Sequence, residues 1–501
     1  MPAPWLGRDA GRPRWHTSLT SGSPLEPGPS RSLALKLVVK MGATVRTYCP
    51  ISRYARLALA MAITSFASAT PAIAQTAAPA QAAPAAGRPA PLPNRLNTVL
   101  PSWLRLRGEY RARMEGLDNA GFVAGRDDLF WLGRVRVNAT VTPKRWLGFQ
   151  VQIQDARVAK KDVGSVAAPF TAALDVRTAF ADLGAANSRM GFRLGRQELA
   201  FGEQRLVGHL NWANAARTFD AGRATIRSRK GSVDLFAASV VRIMPGEWDK
   251  SGNGNRFYGA YGSTTALVPR GTVEPYLFHR RDRNVLGETG VRATLQQTTA
   301  GGRWVGTMPG RVEYGVEAAH QSGSVGPDTI SAWASHLQLK TPAFGPALRV
   351  TGEYNYATGD SDRTDGTRGT FDQLYPTPHD KYGLADQVGW RNIHHVRAGV
   401  EIGRLRGLPI SANYHSWWLA SPTDALYLAS GAELARIPTG APDSHVGQEL
   451  DLQITRALTP QLQLAAGYAY IRPGAFLKAA TPGASYSTPF MMLTYVFFAE
   501  R

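Results

Sequence analysis

The sequence predicts an all-β protein, a transmembrane antiparallel β-barrel of the outer-membrane type with short periplasmic turns and long extracellular loops. Three observations carry this expectation. Apolar and polar residues alternate with a period of two over most of the chain, short turns alternate with long Gly-rich connections, and a short apolar segment near the N-terminus ends in small residues.

That N-terminal segment comes first. Arg53 and Arg56 precede an apolar run from Leu57 to Ile63, and Ala72-Ile73-Ala74 stands before Gln75. A positive start, a short apolar centre and a small-residue cleavage site describe a secretory signal peptide, too short to span a bilayer. Residues 41–74 are therefore read as the signal. Residues 1–40 have scattered Pro and Arg without periodicity and are expected to be untranslated or disordered, with Met41 as the alternative start. Residues 75–98, rich in Ala and Pro, are expected to form a flexible leader, and residues 99–501 the barrel.

The first strand shows the period plainly. Arg105, Arg107, Glu109, Arg111 and Arg113 occupy alternate positions, while Leu104, Leu106, Gly108, Tyr110 and Ala112 between them carry no charge. Successive side chains of a strand point to opposite faces, whereas a helix would spread these charges around its circumference. The pattern recurs. Arg134, Arg136, Asn138 and Thr140 oppose Val135, Val137, Ala139 and Val141; Gln150, Gln152 and Gln154 oppose Phe149, Val151 and Ile153; Arg349, Thr351, Glu353 and Asn355 oppose Leu348, Val350, Gly352 and Tyr354; Glu449, Asp451 and Gln453 oppose Leu450, Leu452 and Ile454. Breaks at Pro143-Lys144-Arg145, Ser228-Arg229-Lys230-Gly231, Met308-Pro309-Gly310 and Leu458-Thr459-Pro460 alternate with longer polar stretches, of which Thr358 to Arg391 is the longest and is large enough to cover or enter a lumen. The chain closes on an apolar row of Met491, Leu493, Tyr495 and Phe497.

A soluble sandwich or propeller also has alternating strands. Strand length near the ~9 to 11 residues of a tilted membrane strand, aromatic residues at row ends and the aromatic closing row favour the barrel. An Arg at the midplane of the lipid face costs roughly 2 to 4 kcal/mol, so turning the four arginines of the first strand outward would cost on the order of 10 kcal/mol. The charged rows must face the lumen.

The formal charge is +20; the first 74 residues carry nine Lys or Arg against Asp9 and Glu26, so seven of those charges belong to them and +13 to the remainder. The single cysteine, Cys49, falls in the signal segment, which excludes disulfides, cysteine-ligated zinc and a cysteine nucleophile from the mature chain. There is no G-x-S-x-G elbow and no H-E-x-x-H, and neither His394-His395 nor His379-Asp380 has a partner at a telling spacing, so no catalytic residue and no cofactor is assigned and an outer-membrane hydrolase stands only as an alternative. Asp360, Asp362 and Asp365 before Gly366 miss the calcium-loop spacing, and no metal site is assigned. Nucleic acid is not expected, because the basic residues alternate with lipid-type residues and turn inward. An outer-membrane porin for small or hydrophobic solutes is an alternative; a channel for hydrophobic solutes would need apolar lumen rows, and these rows read as polar.

Two stretches go further. Residues 194–223 contain Gly195-Arg196-Gln197-Glu198, Gly202, Arg205-Leu206-Val207-Gly208, Trp212 and Arg217-Thr218-Phe219-Asp220; residues 356–392 contain Gly369-Thr370-Phe371-Asp372-Gln373-Leu374-Tyr375-Pro376, His379 and Gly383-Leu384-Ala385-Asp386. Both resemble the alginate export family of outer-membrane porins. The resemblance implies a monomeric, 18-stranded barrel with an electropositive pore that attracts anionic polyuronates, with Arg196, Arg205 and Arg217 in or near its constriction and Asp220 as a pairing partner. From alternation, Arg105, Arg107, Arg111, Arg134, Arg136, Arg193, Arg196, Arg349 and Arg397 form an arginine track for anions; the competing reading is that they pair with Glu109, Glu353 and Glu401 to hold the wall. The expected partners are outer-membrane lipid, an anionic saccharide or organic anion, and periplasmic export proteins.

Overall fold

The computed structural model describes residues 92–498 except 186, 245, 289, 344–346 and 406–407. The expected signal segment, the stretch before it and the leader up to residue 91 lie outside the described residues.

Eighteen antiparallel strands close into one barrel. In chain order they are β1 (Leu104–Leu117), β2 (Asp128–Lys144), β3 (Leu147–Ala159), β4 (Ala172–Leu183), β5 (Met190–Gln197), β6 (Phe219–Ser228), β7 (Gly231–Arg242), β8 (Arg256–Thr264) and β9 (Gly271–Leu286). They continue as β10 (Arg292–Met308), β11 (Val312–Val325), β12 (Asp328–Pro342), β13 (Leu348–Ala357), β14 (Ile393–Leu405), β15 (Leu408–Trp418), β16 (His445–Ala457), β17 (Leu462–Pro473) and β18 (Tyr486–Phe497). Each pairs with its chain neighbour, and β1 pairs with β18 from Gly108↔Phe497 to Glu115↔Phe490. At that seam the Phe497 ring lies so close over Gly108 that an added Cβ would sit 1.9 Å from it. Only glycine admits the aromatic closing residue there.

The alternation sorts as the cost of lipid-facing charge demands. Val135 and Val137 are 39 % and 36 % exposed, whereas Arg134 and Arg136, which alternate with them, are 1 % and 7 % exposed. Outward aromatics stand near both rims: Trp103, Trp146 and Trp304 at the rim of short turns, Trp131, Tyr258 and Trp333 toward the rim of long loops. Two aromatic girdles mark the interfaces of a membrane barrel. At the loop rim two connections are short, residues 287–291 and 326–327, so the long-loop pattern is not uniform.

The leader expected to be flexible through residue 98 instead ends in helix α1 (Leu92–Val99). Asn97 ties it to the seam: its amide donates to the Leu106 and Phe498 carbonyls at 2.6 and 2.8 Å, and its carbonyl oxygen accepts from the Leu106 N–H at 2.9 Å. The strand ends there have backbone groups to satisfy, which gives an otherwise coreless segment a partner.

Not all lumen rows are polar. Phe236 (β7), Phe257 (β8) and Phe278 (β9) point inward and are buried against Leu199, Phe201, Leu206 and Val207 of the β5–β6 loop and Phe371, Leu374, Tyr375, Tyr382 and Trp390 of the β13–β14 loop. These apolar rows hold folded-in loops; they do not line water.

Candidate functional site

The lumen near the loop rim is built from wall arginines and two inserted loops. On β1 and β2 the register sets Arg111 directly opposite Arg134 and Glu109 opposite Arg136. Like charges directly opposite destabilise a sheet, and the β5–β6 loop offsets this with a row of oxygens. Arg111 donates to the Asn211 and Trp212 carbonyls at 2.9 and 3.0 Å, Arg134 to the Asn211 carbonyl at 3.0 Å, Arg113 to the Trp212 carbonyl at 2.7 Å, and Arg136 to the Asn211 side-chain oxygen at 2.7 Å. Arg134 also pairs with Glu109 at 2.6 Å, Arg113 with Glu115 at 2.7 Å, and Arg177 of β4 with Glu198. Among the described residues no carboxylate makes an ion pair with Arg111 or Arg136, and Arg136 keeps its Nη2 without a hydrogen-bond partner.

A second group fixes the tip of the same loop. Arg205, fully inside, donates to Glu353 at 2.8 Å and to the Tyr382 hydroxyl at 3.2 Å, and sits 3.3 Å from Glu203. Glu353 also takes Arg397 at 3.2 Å. Glu203 bridges onward to Arg303 at 2.7 Å. Burial alone would raise the Glu203 carboxyl, but Arg205 and Arg303 outweigh it and hold it at about 2. Arg217 donates to the Gly208 and Pro376 carbonyls at 3.2 and 2.8 Å. Burial pushes it down to about 10, so it stays charged at neutral pH.

The β13–β14 loop is held at three places. Arg280 of β9 pairs with Asp372 at 2.8 Å, and this attraction keeps the Asp372 carboxyl lowered although burial opposes it. Glu449 and Asp451 of β16 accept the backbone N–H groups of Ala385 and Leu384 at 2.9 and 3.1 Å. His379 pairs with Asp386 at 2.9 Å and stacks on Trp212. Asp360 and Asp362 accept backbone N–H groups two residues on, so the Asp-rich stretch caps its own turns.

The remaining expected residues lie elsewhere. Arg105 folds back onto the Pro101 and Leu104 carbonyls, both at 2.7 Å. Arg107 is exposed on the inward row. Arg193 pairs with Asp182 at 2.7 Å, and Arg349 with Glu313 at 2.5 Å, not with Glu353 or Glu401. Glu401 pairs with Lys340 at 2.6 Å. Arg196 does meet Asp220, at 2.8 Å, but the pair stands on the row of Leu194 and Gly222, and Asp220 lines an outer-wall groove with Tyr258. It is a rim clamp rather than part of the luminal group; positive φ at Gly195 and a carbonyl of Asp249 at 3.0 Å accommodate the guanidinium there.

Sequence reasoning missed Arg177, Glu198, Glu203, Arg303, Tyr382 and the His395–His415–Asp451 chain, whose links are 2.9 and 3.1 Å. Arg177 escapes the period because a register shift falls beside it, between the pairs Gln152↔Thr178 and Ile153↔Val176.

A family model described as Alginate export matches residues 102–489. Among solved structures the fold is similar to Pseudomonas aeruginosa OpdQ (12% identity, TM-score 0.55, covering 79% of this chain and 97% of that one). It is likewise similar to P. aeruginosa OccK8 (OprE) (12%, 0.54, 79% and 98%) and to OccK2 (OpdF), solved in complex with glucuronate (10%, 0.54, 79% and 98%). No curated protein sequence matches the chain.

Proposed function

Because the chain belongs to the alginate export family and is an outer-membrane channel, we propose that it passes anionic saccharides, polyuronates or related organic anions, by diffusion through its arginine-rich lumen. One observation carries the reading: Arg111 and Arg136 are held by carbonyl and amide oxygens instead of carboxylates. Neutral oxygens fix a guanidinium in place and leave its charge uncompensated, and a narrow low-dielectric lumen focuses the resulting field on passing anions. The exposed Arg107 is a donor that a carboxylate can meet in passing, while the buried Arg136, whose Nη2 has no hydrogen-bond partner, acts on it through its field. Conduction needs weak attraction rather than one tight site, and the field of the buried Arg111 and Arg136 beside the exposed Arg107 supplies attraction of that kind. The likeness to a barrel solved with glucuronate, itself a uronate, supports the same class of cargo.

The barrel is proposed to work as a monomer without cofactor or covalent step, with periplasmic export proteins as partners. Liposome swelling tests the cargo. Proteoliposomes are expected to swell faster in uronate oligomers than in neutral oligosaccharides of equal length; equal rates would remove the anion preference.

A further inference from the structure

A basic site on the outer wall has no part in the luminal pathway. β8 and β9 place Arg256 directly opposite Arg281, and one step down the same rows Tyr258 opposes His279. Phe257 and Phe278 mark the inward rows, so Arg256 and Arg281 point outward; both are exposed. Arg283, two residues beyond Arg281 where the β9–β10 register shifts, is exposed, its stem packed against Gly254, where an added Cβ would come within 3.0 Å of Arg283 Cδ. Among the described residues none of the three makes an ion pair. The carboxylate beside them, Asp220, is already engaged by Arg196 at 2.8 Å. Two like charges set opposite each other without an acid are a standing cost to the sheet, which an external anion would relieve.

Below these arginines the outer wall carries a shallow, open depression. A groove of about 410 Å3 runs between Leu194, Gly222, Leu235, Ala237 and Tyr258, and a second hollow sharing Gly222, Ala237 and Tyr258 joins it to Arg256. Tyr258 belongs to the aromatic girdle, so Arg256, two residues beyond it toward the loops, stands at headgroup level. Guanidinium forks at headgroup depth above an apolar groove at chain depth match one molecule type. We infer that this face binds a phosphorylated outer-leaflet glycolipid of the lipid A kind, its phosphates on Arg256, Arg281 and Arg283 and an acyl chain in the groove.

Native mass spectrometry of the full barrel in detergent tests this with bisphosphorylated lipid A, monophosphorylated lipid A and phosphatidylethanolamine as probes. Affinity is expected to fall in that order. The double variant Arg256→Gln, Arg281→Gln should lose about tenfold or more for the bisphosphorylated lipid, while Arg229→Gln with Arg311→Gln at the turn rim should lose nothing. Ala237→Leu, which fills the groove, should also weaken binding. Should the double variant fail to fold, the wild-type preference still decides, since equal affinity for the three lipids would overturn the site. So would a folded double variant that binds bisphosphorylated lipid A as wild type does.

Discussion

Trp212 lies flat on His379, ring centroids 3.7 Å apart and planes 6° from parallel, and the Arg113 guanidinium covers the same indole at 4.0 Å. This stack joins three parts distant in sequence: the β1 wall, the β5–β6 loop and the β13–β14 loop. The inserted loops therefore behave as one body braced against the arginine row.

Trp212→Ala removes the brace. Loss of a half-buried indole with its ring and cation contacts is expected to destabilise the barrel by roughly 2 to 4 kcal/mol and to raise single-channel conductance, as the two loops move independently. Urea unfolding in detergent and bilayer recording check both. Unchanged conductance would show that the loops do not limit the path.

Glu353 holds Arg205 at 2.8 Å and Arg397 at 3.2 Å, with Glu353 and Arg205 both buried. Glu353→Ala leaves the buried Arg205 with only the Glu203 carboxylate, 3.3 Å away, and is expected to cost about 3 to 5 kcal/mol. Glu353→Gln, which keeps the shape, should fall between. The shift of the heat-modifiable gel transition measures it; a loss under about 1 kcal/mol would mean that water or another acid replaces the pairing.

Acid should release the loops. Glu203 is held at about 2 and Asp372 is also lowered. Carboxyls depressed by folding contribute stability that is full above their unfolded values of about 4 and is lost as pH falls through the folded values. Loop attachment is thus expected to hold from neutral pH to about 4.5 and to weaken between there and about 2, seen as rising channel noise. Glu203→Gln should show part of that noise already at neutral pH and a flatter acid response; a wild-type acid profile in that variant would count against the assignment.

Where two faces meet different solvents, the sequence is readable: Val135 and Arg134 sort as the lipid cost requires, and the strand spacing follows. Length alone marks Thr358 to Arg391 as able to enter the lumen, but where the loops pack is not readable, because Leu199, Phe201, Leu206 and Val207 have no period and their burial depends on Phe236, Phe257 and Phe278, which are distant in sequence. Of the expected track, Arg111, Arg134 and Arg136 do converge, whereas Arg196 follows its row outward and Arg349 takes Glu313. Alternation assigns a face; it does not assign a partner. Arg205 and Arg217 came from the family motif, and both enter the loop cluster.

Reversal potential across a salt gradient is the most direct measurement of whether the lumen carries uncompensated positive charge. The expected result is anion over cation permeability in the wild type, reduced toward equality when Arg107, Arg111 and Arg136 are all replaced by Gln. Cation preference in the wild type, or an anion preference untouched by the triple substitution, would contradict it.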